Sequence, residues 1–300
     1  MATRWQGSTR LLDCDGTPMR EDCLMWTLSG FADEIDDDFE TQCAVVRELG
    51  LKYIEFRSAW GINVLDLSDA QLEDAQRILT EHALRVSSIG SPIGKIFIDE
   101  PFEPHLIRAQ HAVEVAQRFN APFIRIFSFF MREGMNPDDH RDEVLTRMRA
   151  LASVAEAGGV VLLHENEKDI YGDIPRRCLD LVTSVNSPAL RATWDPANFV
   201  QVGVDRPFDE GWSMMRPYID YMQIKDAVSE THEVVTAGKG DGQVYETIAA
   251  LKADGFDGFF SLEPHLGSAH ALGGFSGPDL WRSAHRDFTD MLKAQGIEYA

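Results

Sequence analysis

Four side chains with oxygen donors stand at the ends of apolar segments that have the pattern of β-strands. They are Glu165 in LLHENE, Asp195 in TWDPAN, Gln223 in MQIKD and Glu263 in SLEPH. Burying an ionised carboxylate is strongly unfavourable unless a cation or strong hydrogen bonds compensate. Three carboxylates near one axis would also repel one another, and a divalent cation relieves that repulsion. The pattern therefore favours a metal site, with pairing to Arg57, Lys168 or Lys225 as the alternative.

The elements that would position these side chains follow a strand-then-helix alternation that begins at Trp26. Helical periodicity is clearest in residues 38–49, 69–82, 142–155 and 278–295. Eight short β-branched or aromatic segments are predicted as strands, at residues 26–30, 53–57, 85–89, 123–127, 160–165, 191–195, 219–224 and 258–263. Such an alternation is typical of an α/β protein with a parallel sheet.

The same alternation fits a closed (β/α)8 TIM barrel or a doubly wound open sheet. Predicted strands 2, 5, 6, 7 and 8 each end in ionisable or amide side chains. In a barrel these ends meet at one mouth, whereas in an open sheet they would be spread along an edge. We therefore predict a single (β/α)8 TIM barrel over residues 25–300, preceded by an N-terminal extension of residues 1–24.

Composition limits the classes of partner. The 300 residues include 49 Asp and Glu against 28 Lys and Arg, a formal net charge of −21. General affinity for nucleic acid or an anionic membrane surface needs a concentrated positive surface, so neither partner is expected. The chain has no run of eighteen apolar residues, no secretory h-region at its N-terminus and four scattered cysteines without a CxxC motif. A cytoplasmic protein with a small-molecule partner is expected.

A set of motifs along the chain resembles a known family. They are LSGFADEI, YIEFR, SPIGK, LLHENEKDIYGD, TWDPANF, YMQIKDA, GKGDG and FFSLEPHL. Together they resemble the xylose isomerase-like TIM barrel family of sugar phosphate isomerases and epimerases, from about Trp26 to the C-terminus. The resemblance implies a divalent cation held by Glu165, Asp195 and Glu263, with Glu165 and Glu263 as the catalytic acid/base pair. Manganese is the expected ion, with magnesium or cobalt as alternatives.

One position departs from the family pattern, which usually has histidine where this chain has Gln223. An amide oxygen is neutral, as a neutral imidazole is, but it is a harder donor. It would shift metal preference from zinc towards magnesium, manganese or calcium. Gln223 is predicted as the fourth metal ligand. Alternatively, it hydrogen-bonds a water molecule that completes the coordination shell.

The chemistry that such a site allows is proton transfer at a carbon adjacent to a metal-bound oxygen of a sugar, keto-sugar or polyol. Return of the proton to the opposite face is epimerisation, and return to the neighbouring carbon is aldose–ketose isomerisation. A metal-dependent isomerase or epimerase is the leading hypothesis. The alternatives are a metal-dependent lyase, either a dehydratase or a deglycosidase of an oxidised sugar, and a non-catalytic sugar-binding or partner subunit.

Five further side chains are predicted to bind substrate: Glu55, Arg57, His164, Lys225 and His265. Glu55 and Arg57 share one face of strand 2 and could instead pair with each other. Strand alternation sends His164 to the face opposite Glu165 or to the rim, so a core histidine is its alternative role. Lys225 and His265 each stand two positions beyond a candidate ligand, and a salt bridge is the alternative for Lys225. Barrels of this kind often form homo-oligomers, so a homo-oligomer is left open.

Overall fold

Eight parallel strands, each followed by a helix, form the chain's framework. The computed structural model describes residues 25–267 and 274–300, so the predicted extension lies outside the described residues. The eight barrel strands are β1 Met25–Gly30, β2 Tyr53–Phe56, β3 Arg85–Gly90, β4 Phe123–Ile126, β5 Val161–Glu165, β6 Leu190–Trp194, β7 Ile219–Ile224 and β8 Phe259–Leu262. A short ninth strand, β9 Glu298–Tyr299, pairs with β1. The helices are α1 Phe39–Glu48, α2 Asp69–Glu81, α3 Glu103–Phe119, α4 Arg141–Gly158, α5 Pro175–Val185, α6 Pro196–Gln201, α7 Val244–Ala253 and α8 Pro278–Ala294.

The connections contain further short elements. Short helical turns occur at Ala32–Glu34, Val64–Asp66, Pro137–His140, Phe208–Trp212, Ser213–Met215 and Arg216–Tyr218. Two small antiparallel pairs join Ser58–Ala59 to Ile62–Asn63 and Asp226–Ala227 to Val234–Val235. Both pairs follow barrel strands at their carboxyl ends, where they shape the mouth.

The sheet closes on itself. Its order is β9-β1-β8-β7-β6-β5-β4-β3-β2, and a parallel bridge between Phe31 and Glu55 links the end of β1 back to β2. Each observed barrel strand agrees with its predicted segment to within one residue at either end. The predicted (β/α)8 barrel is thus confirmed, and the carboxyl ends of β5 to β8 lie side by side.

The helices are amphipathic and pack their apolar faces on the barrel wall. In α8, Trp281, Phe288 and Leu292 are fully buried, and the indole Nε1 of Trp281 donates a hydrogen bond of 3.2 Å to the Phe31 carbonyl. This contact fixes the last helix beside the end of β1. Among the helices in residues 25–267 and 274–300, none is both long and apolar enough to cross a membrane.

Aromatic side chains fill the barrel interior at the end opposite the mouth. Ring centroids of Tyr53 and Phe259 lie 5.0 Å apart, and those of Phe123 and Tyr221 lie 5.9 Å apart. Toward the mouth, the Tyr221 hydroxyl contacts the Ser87 hydroxyl at 2.8 Å. The interior therefore changes from aromatic to polar along the barrel axis towards the mouth.

The loop between β3 and α3 is held by a buried histidine. Gly94 has a φ of +92°, and a Cβ there would lie 2.1 Å from the Phe127 carbonyl oxygen, so glycine is required. Its N–H donates a 2.7 Å hydrogen bond to Nε2 of His105. That nitrogen must therefore be unprotonated. Burial, reinforced by Arg108 and Arg147, lowers the pKa of His105 to about 4.

We expect this histidine to destabilise the fold in acid. Unfolded His105 takes up a proton below about pH 6.5, whereas the folded residue resists protonation down to about pH 4. The free energy of unfolding is therefore unaffected by His105 above pH 6.5, and it falls by on the order of 2 kcal/mol as the pH decreases towards 4. His105→Gln keeps an acceptor but has no proton to bind. Urea denaturation between pH 4 and 7 should show the wild type losing stability relative to the variant. A constant difference would contradict this.

Candidate metal and active site

Three of the predicted metal ligands meet at the mouth. Glu165 ends β5, Asp195 begins the turn into α6, and Glu263 follows β8. Each contributes a carboxylate oxygen, and the three oxygens lie within 4.8 Å of one another. All three residues are at most 2% exposed. The carboxylates at the strand ends therefore meet at the mouth, as predicted, and form a compact acidic centre.

Basic side chains contact this centre. The Lys225 Nζ lies 2.8 Å from Asp195 Oδ2 and 2.5 Å from Glu263 Oε2. Arg125 Nη1 is 2.7 Å from Glu165 Oε2. Arg57 and Lys225 were named in the alternative of simple ion pairing, and both do contact carboxylates here. Ion pairing and a shared acidic centre are both present, because the Lys225 ammonium contacts two of the three carboxylates, Asp195 and Glu263.

Negative charge exceeds positive charge around the centre. Within the described residues, six buried carboxyls near the centre, namely Asp33, Glu34, Glu55, Glu165, Asp195 and Glu263, face three buried cations, Arg57, Arg125 and Lys225. A seventh buried carboxyl, Asp226, is held by loop N–H groups. Full ionisation of the six would leave three negative charges uncompensated. A divalent cation would supply most of the missing positive charge.

The imbalance is visible in the pKa values. Burial, with repulsion from Glu165 and Glu263, raises the pKa of Asp195 to about 8. Burial likewise raises the pKa of Glu165. Burial alone would also raise the pKa of Glu263, but Lys225, His265 and Arg57 outweigh it and hold that pKa well below its usual range. Glu263 is thus ionised, whereas burial and repulsion between carboxylates oppose ionisation of Asp195 and Glu165, and added positive charge would favour it.

Gln223 provides the test of whether a metal ion fits. Its side chain is fully buried, and its Nε2 donates a 3.0 Å hydrogen bond to Glu55 Oε2. Its Oε1 is buried and has no hydrogen-bond partner among the residues that the structure describes. Leaving a carbonyl oxygen in that state costs about 1–3 kcal/mol. Three carboxylates and an amide oxygen form a set of hard donors that suits Mg²⁺ or Mn²⁺. The residues therefore fit a divalent ion.

The predicted substrate-binding residues lie at different depths along the barrel axis. His265 is at the mouth, with its side chain 25% exposed and its Nε2 3.4 Å from Glu263 Oε1. Arg57 Nη1 contacts the same Glu263 oxygen at 3.3 Å, and its Nε pairs with Asp33 at 2.7 Å. Glu55 lies deeper, 1% exposed, against Gln223 and Ser261. Arg57 and His265, together with Lys225, therefore border the centre from above, and Glu55 borders it from below.

Glu34 extends the acidic centre on one side. Oxygens of Glu34 and Glu263 lie within 4.8 Å of a His265 ring nitrogen. The Glu34 Oε2 accepts the His265 backbone N–H at 2.8 Å, which fixes the histidine over the mouth. Arg57 Nη2 stands 3.9 Å from Glu34 Oε1, so a guanidinium already supplies positive charge there.

His164 faces away from the centre, as alternation along β5 predicts. Its Nε2 lies 3.0 Å from the Ser128 hydroxyl, and a Cβ on Gly172 would lie 2.4 Å from its ring. Burial lowers its pKa to about 3, so the ring is neutral. These contacts match its alternative role as a core histidine.

Two residues outside the predicted site contact the acidic centre. Arg125 is in the middle of β4, where its charge within FIRI was the available signal. Asn198 donates from Nδ2 to Glu165 Oε1 at 3.3 Å and to the Asn166 carbonyl at 2.9 Å. Its backbone N–H also donates to Asp195 Oδ1 at 3.0 Å, which the three-residue spacing in DPAN could have indicated. Asn198 therefore ties two of the predicted ligands together.

The glycine-rich loop after β7 is organised by Asp226. Its carboxylate accepts N–H groups of Gly238, Gly240 and Gly242 at 2.8–3.1 Å. A Cβ on Gly240 or Gly242 would lie within 2.7 Å of the Asp226 Oδ1. The loop N–H groups thus bind a carboxylate of the protein itself, and these hydrogen bonds fix the position of the chain directly after Lys225.

A cavity of about 1020 Å³ opens among the loops that follow β3, β4 and β5. Its lining includes Lys95, Phe97, Arg132 and Lys168. None of the three converging carboxylates belongs to that lining. The candidate reactive groups lie in the acidic centre and not in this cavity, so we place the candidate site at the three carboxylates.

A (β/α)8 barrel with an acidic centre at the carboxyl ends of its strands belongs to a class in which the barrel mouth carries the site. Comparison with protein families gives the more specific assignment. The family model for the xylose isomerase-like TIM barrel matches residues 43–291. The chain belongs to this family.

Solved structures with the same fold are numerous but distant in sequence. A xylose isomerase-like TIM barrel protein from Mycobacterium smegmatis in complex with magnesium is 19% identical, with a TM-score of 0.68 over 90% of this chain and 97% of that one. The probable 3-DHS dehydratase AsbF from Bacillus anthracis is 19% identical, with a TM-score of 0.70 over 88% and 98%. The 3-keto-D-glucoside 4-epimerase YcjR from E. coli is 14% identical, with a TM-score of 0.67 over 90% and 99%. No curated protein matches the chain.

Proposed function

We propose that this protein is a divalent-metal-dependent isomerase or epimerase that acts on a sugar, keto-sugar or polyol. The observation that carries the proposal is the convergence of carboxylate oxygens of Glu165, Asp195 and Glu263 within 4.8 Å of one another. The unpartnered amide oxygen of Gln223, near the end of β7, is the proposed fourth donor. Membership of the family and the epimerase among the similar structures agree with it. The proposed ion is Mn²⁺, with Mg²⁺ or Co²⁺ as alternatives.

The residues divide into holding and reacting groups. Glu165, Asp195, Gln223 and Glu263 would hold the ion, which when bound supplies Lewis-acid stabilisation of negative charge on a substrate oxygen. Glu165 and Glu263 come from β5 and β8, so their carboxylates approach the centre from different parts of the wall. One would take a proton from a substrate carbon and the other would return it. Arg57, Lys225 and His265 would bind substrate oxygens at the mouth.

Deuterium incorporation tests the proposal directly. The Mn²⁺-loaded protein is incubated with a panel of sugars, keto-sugars and polyols in D₂O, and products are analysed by NMR and mass spectrometry. We expect deuterium at a carbon-bound position of one compound, with an epimer or ketose as product. Loss of water or of a glycosyl group without a rearranged sugar would instead identify a lyase. Absence of exchange, together with absence of Mn²⁺ binding, would overturn the proposal.

A further inference from the structure

We propose that Glu55 is a positioning residue that sets the orientation of the Gln223 amide, so that its oxygen rather than its nitrogen is available to a metal ion. This inference rests on the proposed function, because it concerns the same candidate site. It gives Glu55 a role in the metal site in place of direct contact with substrate.

The geometry that carries the inference is a single oxygen with two donors. Glu55 Oε2 accepts the Gln223 Nε2 at 3.0 Å and the Ser261 hydroxyl at 2.7 Å. Glu55 is 1% exposed, and both donors are fully buried, so water does not compete for these bonds. Ser261 and Gln223 are directly paired between β8 and β7. Glu55 thus binds two neighbouring strands of the wall from across the barrel interior.

The amide of glutamine has two orientations that differ only by exchange of its oxygen and nitrogen. Turned one way it offers an acceptor to a cation, and turned the other way it offers an NH₂ group that cannot ligate. The Glu55 Oε2 oxygen accepts two hydrogen bonds, one of them from Gln223 Nε2, so it holds the nitrogen side of the Gln223 amide. The other side is left with Oε1, which is buried and has no hydrogen-bond partner among the described residues.

Backbone structure places Glu55 for this contact. The register of β2 against β3 shifts between Ile54 and Glu55, where β3 accommodates one extra residue, Ser87. A bulge adds local twist and re-aims the side chain next to it. Glu55 also forms the parallel bridge with Phe31 that closes the barrel. The Glu55 backbone is therefore held on both sides, by pairing with β3 and by the bridge to Phe31.

The direct test is Mn²⁺ affinity, measured by isothermal titration calorimetry on the full chain. In Glu55→Gln, residue 55 can present either an oxygen or an NH₂ group, so the Gln223 amide is free to turn. Loss of a residue that orients a metal ligand typically lowers affinity 10- to 100-fold, and we expect a fall of about that size. Unchanged affinity in a folded variant would overturn the inference.

A double variant tests the exchange of donor and acceptor between residues 55 and 223. Glu55→Gln combined with Gln223→Glu reverses donor and acceptor while keeping the net charge, and a carboxylate at position 223 offers oxygen in either orientation. We expect its Mn²⁺ affinity to return to within about threefold of wild type or to exceed it. Affinity as low as in the single variant would count against the proposal.

Glu34→Gln is the charge-matched control. It removes one buried carboxylate beside Glu263, but its hydrogen-bond partners are His265 and Ser276 rather than Gln223. If loss of a buried carboxyl alone weakened binding, Glu34→Gln would weaken it at least as much as Glu55→Gln, because Glu34 lies beside Glu263, and the inference would fail. We expect the larger loss in Glu55→Gln. Wild-type protein that binds no Mn²⁺ would instead refute the proposed function, so the two failures are distinguishable.

Discussion

Glu263→Gln should reduce deuterium exchange into the substrate by about 10³-fold at saturating Mn²⁺, within the range that a positioned proton-transfer group supplies. Glutamine keeps the size of the side chain and a neutral donor oxygen, but it can neither take nor return a proton. Lys225, His265 and Arg57 keep the wild-type pKa of this carboxyl well below its usual range, so the group is ionised and can accept a proton. The rate is read by NMR from loss of the exchanging C–H signal.

Glu165→Gln should cause a loss of similar size, because the second carboxylate is needed to complete the transfer. Glu246→Gln is the matched control, since Glu246 is exposed on α7 and should exchange at the wild-type rate. Mn²⁺ affinity is measured for each variant, so that a weaker metal site is separated from lost proton transfer. Full exchange by Glu263→Gln would remove the acid/base assignment.

The barrel was predictable because its signals are local. Each strand is a short apolar segment, and polar residues at the strand ends distinguish a shared mouth from an extended edge. The same reasoning brought Glu165, Asp195 and Glu263 together, since parallel neighbouring strands end at one level. Alternation within β5 also placed His164 on the face opposite Glu165.

What the sequence could not predict depends on contacts across the barrel. Gln223 and Glu55 are 168 positions apart, and no period or motif links them. Arg125 was overlooked because a charge in mid-strand has no recognisable partner until β4 and β5 are paired. The alternative in which Glu55 pairs with Arg57 shows the same limit: Arg57 pairs with Asp33, and Glu55 bonds to residues of β7 and β8.

Lys225→Met should destabilise the metal-free protein by about 3–5 kcal/mol, the usual effect of removing one partner from a buried ion pair. Burial would lower the pKa of Lys225, but Asp195, Glu263 and Glu165 outweigh it and hold that pKa well above its usual range. The substitution therefore removes a full positive charge from between two carboxylates at 2.8 and 2.5 Å. The free energy of unfolding is measured in urea without metal.

Added Mn²⁺ should then stabilise Lys225→Met more than it stabilises the wild type. In the wild type the ammonium already occupies oxygens of Asp195 and Glu263, so metal ion and lysine compete for them. A ligand that binds only the folded state adds about 2.7 kcal/mol at one hundred times its dissociation constant, so a tighter site gives a larger gain at fixed Mn²⁺. Lys293→Met, which removes an exposed ion pair with Asp290, is the matched control and should change neither quantity. Equal Mn²⁺ gains in Lys225→Met and wild type would show that the ammonium and the metal ion do not share these oxygens.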